Sequence, residues 1–212
     1  MSTVVEPAHA GSSAPVRIVM LAPAYAGPED FVAAGFASAV RSRSLAIDLV
    51  FARLEARHLA DESLTAQVWE IVGPQAAATR VWLGGISLGG YLALCAAESN
   101  PHALAGLCLL APYLGSHIVT GEVARAGLAD WEPAPLAADD DERRIWRFIQ
   151  SRPAGLPIHL GLGRDDRFSA RHRVLADALP QDEVDTVAGG HDWLTWHRLW
   201  ENFLDARFAR EK

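Results

Sequence analysis

Residues 80–94 read Arg80-Val81-Trp82-Leu83-Gly84-Gly85-Ile86-Ser87-Leu88-Gly89-Gly90-Tyr91-Leu92-Ala93-Leu94, and this stretch decides the fold. Residues 80–84 form a short run, apolar after Arg80, of the kind shown by a strand covered on both faces. Residues 88–99 carry a helical pattern that stops before Asn100-Pro101. Between them Gly85-Ile86-Ser87-Leu88-Gly89 matches G-x-S-x-G, directly after a strand and directly before a helix, the context the pattern requires. A strand that becomes a helix within one residue brings the flanking backbones almost into contact, and glycine at 85 and 89 leaves that space free. The turning residue is then held in strained geometry with its hydroxyl above the sheet. The helix start beneath it offers unpaired N–H groups and the positive end of a dipole, which suit an oxyanion. Ser87 is the candidate nucleophile.

Working outward, short apolar runs alternate with longer helical segments. Strands are expected at about residues 16–22, 45–52, 105–111, 157–162 and 183–187, besides 80–84. Helices are expected at about 28–43, 61–72, 140–151, 170–179 and 193–209, with Pro28 tolerated at a helix start and Asp61 as an N-cap. This alternation predicts βαβ units with right-handed crossovers. The fold class is α/β, a three-layer sandwich around a mostly parallel sheet of about six strands. Residues 1–14, rich in Ala, Ser, Gly and Pro, read as a flexible tail, and residues 15–212 as a single domain. Ligands in such sheets bind at the carboxyl ends of the strands. Chemistry is therefore expected in the loops after residues 22, 84, 111, 162 and 187.

A serine hydroxyl is a weak nucleophile that needs a positioned base. Of the eight histidines, His191 stands apart, in the loop Gly189-Gly190-His191-Asp192 between the last strand and the last helix. His159 sits inside an apolar strand and reads as a core or sheet-face residue; His9, His58, His102, His117, His172 and His197 have no comparable placement. The base needs an acid that fixes its tautomer. Gly163-Arg164-Asp165-Asp166-Arg167 follows the strand at 157–162, so Asp165 or Asp166 fills that role. The chain order is then serine, aspartate, histidine. Acyl transfer also needs two N–H donors. One is the backbone of Leu88; the other comes from the loop Ala22-Pro23-Ala24-Tyr25, where Pro23 has no N–H and leaves Ala24 or Tyr25.

Composition narrows the class. The chain has 212 residues, 50% hydrophobic and 21% charged, the balance of an ordinary globular protein. Its net charge of -7 argues against a nucleic-acid partner. Cys95 and Cys108 lie in apolar runs and read as buried thiols. Neither a secretory signal nor an apolar stretch long enough for a bilayer is evident, so the expected compartment is the cytoplasm. Asp139-Asp140-Asp141-Glu142 reads as acidic residues at a helix start, not a metal site. No cofactor or metal is expected, since zinc spacing, a P-loop and a dinucleotide fingerprint are all missing.

From residue 16 to about 208 the chain resembles the α/β-hydrolase superfamily, in a shortened version like the small bacterial esterase or thioesterase branches. The resemblance implies Ser87 as nucleophile, His191 as base and Leu88 as an oxyanion donor. The family's acid falls at the fourth position of G-x-x-D, which favours Asp166, with Asp165 as the alternative. Many members carry His-Gly in the oxyanion loop where this chain has Ala22-Pro23. The insertion at residues 113–153 corresponds to a small lid, with Leu128, Trp131 and Trp146 as candidates for lining the acyl pocket. The implied activity is hydrolysis of a small-molecule carboxylic ester or thioester through an acyl-Ser87 intermediate. The alternatives are acyl transfer by the same residues and non-catalytic ligand binding on the same fold.

Overall fold

In a computed structural model, residues 1–8, 13–55, 63–74, 78–137 and 139–208 are described. Seven strands form one sheet: β1 (Ser2–Glu6), β2 (Val16–Leu21), β3 (Ile47–Arg53), β4 (Arg80–Ile86), β5 (Gly106–Leu110), β6 (Ile158–Gly163) and β7 (Val184–Val187). The spatial order is β1-β3-β2-β4-β5-β6-β7, with every neighbouring pair parallel except β1 with β3. Eight helices accompany it among the described residues: α1 (Pro28–Ala33), α2 (Phe36–Ser42), α3 (Ser63–Val72), α4 (Leu88–Ser99), α5 (His117–Ala126), α6 (Asp141–Ser151), α7 (Ser169–Ala176) and α8 (Trp193–Phe208).

The period of two along each strand divides the core into two layers. Val19 and Leu21 of β2, Leu83 of β4 and Leu107 and Leu109 of β5 pack with α3, α4, α5, α6 and α7. Ile18 and Met20, Trp82, Cys108 and Leu110 face the other way, onto α1, α2 and α8. This is the expected three-layer sandwich. Aromatic rings fill the second layer: Phe31 stacks on Phe51 at 4.8 Å, and Phe36 on Trp200 at 5.3 Å.

Two expectations need correction. Residues 2–6, read as part of a flexible tail, form β1, which pairs antiparallel with β3 from Ser2 opposite Arg53 to Glu6 opposite Leu49. The strand covers the otherwise open edge of β3, and this gives a sixth-plus-one strand to the sheet. Asp48, buried at 7% exposure, accepts from the N–H of Ala8 at 2.9 Å and of Ala14 at 3.0 Å, so one carboxylate ties both sides of that connection to β3. The single helix expected at 28–43 is two, α1 and α2, because Gly35 turns left-handed at φ 88° between them. The proposed cap at Asp61 lies outside the described residues.

The chain runs from β2 outward to β3, then returns across β2 to β4. At that reversal the loop after β2 leads to α1 on one face, and the turn after β4 leads to α4 on the other. A crevice therefore opens above the carboxyl ends of β2 and β4.

Candidate active site

Ser87 stands at the lip of this crevice, between β4 and α4, with φ 52° and ψ -113°. Among the described residues, Tyr25, Ser44, Ser87 and Ala111 are the non-glycine residues with positive φ. Three of them follow the carboxyl ends of β2, β4 and β5, so backbone strain is concentrated around the crevice. The elbow survives because its glycines allow close approach. A Cβ on Gly85 would strike the backbone of Gly89, and one on Gly89 would strike the carbonyl oxygens of Leu21 and Ala22. The Ser87 backbone is held from both sides, its N–H donating to the Leu110 carbonyl at 3.0 Å and its carbonyl accepting from Tyr113 N–H at 2.8 Å.

Three side chains from three strand ends meet here. Ser87 Oγ is 3.0 Å from His191 Nε2, and His191 Nδ1 is 2.7 Å from Asp166 Oδ2. Asp166 is buried at 3% exposure, and its second oxygen accepts from the Phe168 N–H at 2.8 Å. Burial opposes its charge, but the hydrogen bonds from His191 and Phe168 and the nearby imidazoles outweigh that and hold its pKa below the ordinary aspartate value. An ionised Asp166 only accepts, so His191 Nδ1 carries the proton and Nε2 is free to accept from the Ser87 hydroxyl. The imidazole is wedged edge-on between Phe168 at 5.1 Å and Trp196 at 5.0 Å.

Asp165 has a different partner. Its Oδ2 accepts from the Gly189 N–H at 3.1 Å, while its own N–H donates to the Gly189 carbonyl at 3.0 Å. With the bond from Arg164 N–H to the Val187 carbonyl at 2.8 Å, these contacts zip the loop after β6 to the loop after β7.

Leu88 opens α4, so its N–H has no acceptor within the helix. Ala24 and Tyr25 are exposed in the loop after β2, and their N–H groups meet no acceptor among the described residues. Gly89 packed on the Leu21 and Ala22 carbonyls brings that loop beside the elbow. No cluster of three His, Cys, Asp or Glu side chains is placed to hold a metal ion among the described residues.

The cavity beside Ser87 corrects the expected pocket. It holds about 60 Å³ and is lined by Ser87, Pro112, Tyr113, Leu114, Phe168 and Arg171. Leu128, Trp131 and Trp146 are not part of its wall. Trp146 is fully buried in the core, where its indole N–H donates to the Leu114 carbonyl at 3.0 Å. Trp131 is buried too, at 4% exposure, and Leu128 faces a separate hollow between α5, α6 and α7. These apolar residues serve packing, and Trp146 reaches the site only through Leu114. Glu142, read as one of several acidic residues at a helix start, accepts from the Tyr113 hydroxyl and from the Ser116 N–H, each at 2.9 Å. Burial and this bond push the Tyr113 phenol up to about 12. The wall residues had a positional signal: Pro112 and Tyr113 follow a strand end, and Phe168 and Arg171 sit one helical turn apart after the acid loop.

Comparison with known proteins agrees with this architecture. No family model matches the chain. A stretch of 142 residues is 25% identical to an acetyl esterase of Caldicellulosiruptor saccharolyticus, spanning 59% of this chain and only 53% of that protein. The structure is similar to that of S-formylglutathione hydrolase from Staphylococcus aureus, with TM-score 0.68, 11% identity and coverage of 95% of this chain and 90% of that one. It is also similar to alpha/beta hydrolase domain-containing protein 10 from mouse, with TM-score 0.59, 18% identity and coverage of 96% and 92%. The chain has the α/β-hydrolase fold. Within that fold, serine, histidine and aspartate form a hydrogen-bonded chain at the carboxyl edge of the sheet.

Proposed function

We propose that this protein is a serine hydrolase that cleaves a carboxylic ester or thioester through an acyl-Ser87 intermediate. The observation that carries the reading is the continuous contact from Asp166 through His191 to Ser87 Oγ, at 2.7 and 3.0 Å. His191 Nε2 takes the hydroxyl proton as Oγ attacks the carbonyl carbon, and the carbonyl oxygen becomes an oxyanion. The Leu88 N–H and an N–H from Ala24 or Tyr25 stabilise that charge. The tetrahedral species collapses, the alcohol or thiol leaves with the proton from His191, and the acyl group stays on Ser87. Water then repeats the sequence, giving its proton to His191 and releasing the carboxylic acid. Asp166 keeps its negative charge throughout, orients the ring and stabilises the imidazolium. Residues 113–153 act as a fixed cover, since Tyr113 and Leu114 wall the cavity and Glu142 and Trp146 hold them there. The acetyl esterase likeness supports an ester substrate.

A fluorophosphonate probe tests the reading directly. The intact protein is expected to gain one phosphonyl adduct by mass and Ser87→Ala none, in parallel with turnover of p-nitrophenyl acetate by the former alone. Equal labelling of the two forms, or labelling of neither, removes the proposal.

A further inference from the structure

We propose that the substrate bears a carboxylate within a few bonds of the scissile carbonyl, and that Arg171 receives it. The inference rests on the hydrolase reading and adds a substrate class to it.

Arg171 is the only charged residue among the six that line the Ser87 cavity. It is half-buried on the first turns of α7, and its guanidinium rests over the Phe168 ring at 5.8 Å. Among the described residues no carboxylate pairs with it. The acidic groups around the site are occupied elsewhere. Glu142 holds the Tyr113 hydroxyl and the Ser116 N–H. Asp166 holds His191 and Phe168, Asp165 holds Gly189, and Asp192 holds the N–H and hydroxyl of Thr195. Other half-buried arginines of this chain do have such partners: Arg143 pairs with Glu122 at 2.6 Å, and Arg152 with Glu183 at 2.7 Å. A guanidinium in the wall of the nucleophile's own cavity, with its donors unused, is a receptor for an anion. Exposed Arg167, its guanidinium over Phe168 at 4.8 Å, adds positive potential beside the cavity on a chain whose net charge is -7.

Size limits what enters. The cavity beside Ser87 is small, about 60 Å³, and opens to solvent. A carboxylate on a short arm suits a cavity of that size. The anion can belong to the acyl half or to the leaving half, and substrates separate the two.

The test compares kcat/KM within two matched pairs: monoethyl succinate against ethyl butyrate for the acyl half, and O-acetylglycolate against ethyl acetate for the leaving half. At least one pair is expected to favour the anion by about tenfold, the kinetic size of one charge-assisted hydrogen bond. That ratio should fall towards one in Arg171→Gln, recover in part in Arg171→Lys, and shrink as ionic strength rises. Turnover without an anionic preference in either pair, or a preference that persists in Arg171→Gln, overturns the inference and leaves the hydrolase reading standing. No turnover of any ester, together with no fluorophosphonate adduct, overturns both.

Discussion

Asp165 and Asp166 are neighbours with identical side chains, and the loop between β6 and α7 gives them unlike partners. Asp166 turns inward to His191 Nδ1, while Asp165 turns to the Gly189 backbone. Asp166→Asn should therefore lower kcat by about 10⁴-fold, because the amide no longer fixes the imidazole tautomer. Asp165→Asn keeps an oxygen that can accept from Gly189 and should cost far less. Steady-state hydrolysis of p-nitrophenyl acetate by the two variants ranks them, and a reversed order moves the acid role to Asp165. The sequence left these two open, because residues adjacent in a turn differ only in the direction each side chain takes. The family resemblance, in which the acid falls at the fourth position of G-x-x-D, supplied the preference for Asp166. Arg171 was invisible in the sequence for a related reason: one arginine among several near Asp165 and Asp166 gains meaning only when a cavity forms against it.

At the scale of elements, the elbow depends on contact between α4 and the end of β2. A methyl group at Gly89 has nowhere to go but into the Leu21 and Ala22 carbonyl oxygens, and backbone cannot swing aside as a side chain can. Gly89→Ala should lower stability by about 3 kcal/mol or more, at the upper end of overpacking costs. Urea unfolding measured against the wild type checks this; a change below about 1 kcal/mol would mean that α4 shifts freely on the sheet. Apolar strands were legible in the sequence, and α4 spans the same residues, 88–99, as its pattern suggested. Elements defined by distant partners were not. β1 has five residues of no distinctive pattern, and its partner strand begins at Ile47. α5 lies in the stretch read as a small lid, where Gly121 and Thr120 dilute the helical signal.

For the whole molecule, acid stability follows from imidazoles enclosed in the core. His159 on β6 faces Phe203 at 5.1 Å, and its buried Nε2 has no hydrogen-bond partner among the described residues. Burial pushes its pKa down from 6.5 to about 4, with Arg207 acting in the same direction. The unfolded chain thus binds a proton first as pH falls, so this contribution is complete above pH 6.5 and is lost progressively down to about pH 4. Asp166, whose folded pKa is depressed, contributes stability that is present above its ordinary value of 3.8 and disappears only below it. His159→Leu should flatten the pH dependence of the urea midpoint between about pH 6.5 and 4, where one group contributes a slope of at most about 1.4 kcal/mol per pH unit. An unchanged slope would assign the acid sensitivity to another group, His172 foremost, since burial lowers its pKa as well.

The hydrogen bonds that join Arg164 to Val187 and Asp165 to Gly189 close a loop of chain at its base. Everything between those ties, α7 with Phe168 and Arg171 included, hangs from a fixed frame that already spaces Asp166 from His191. In such a frame a solvent-facing change on α7, at Ala170 or Arg173, leaves the spacing of Asp166 and His191 to those ties and to Phe168.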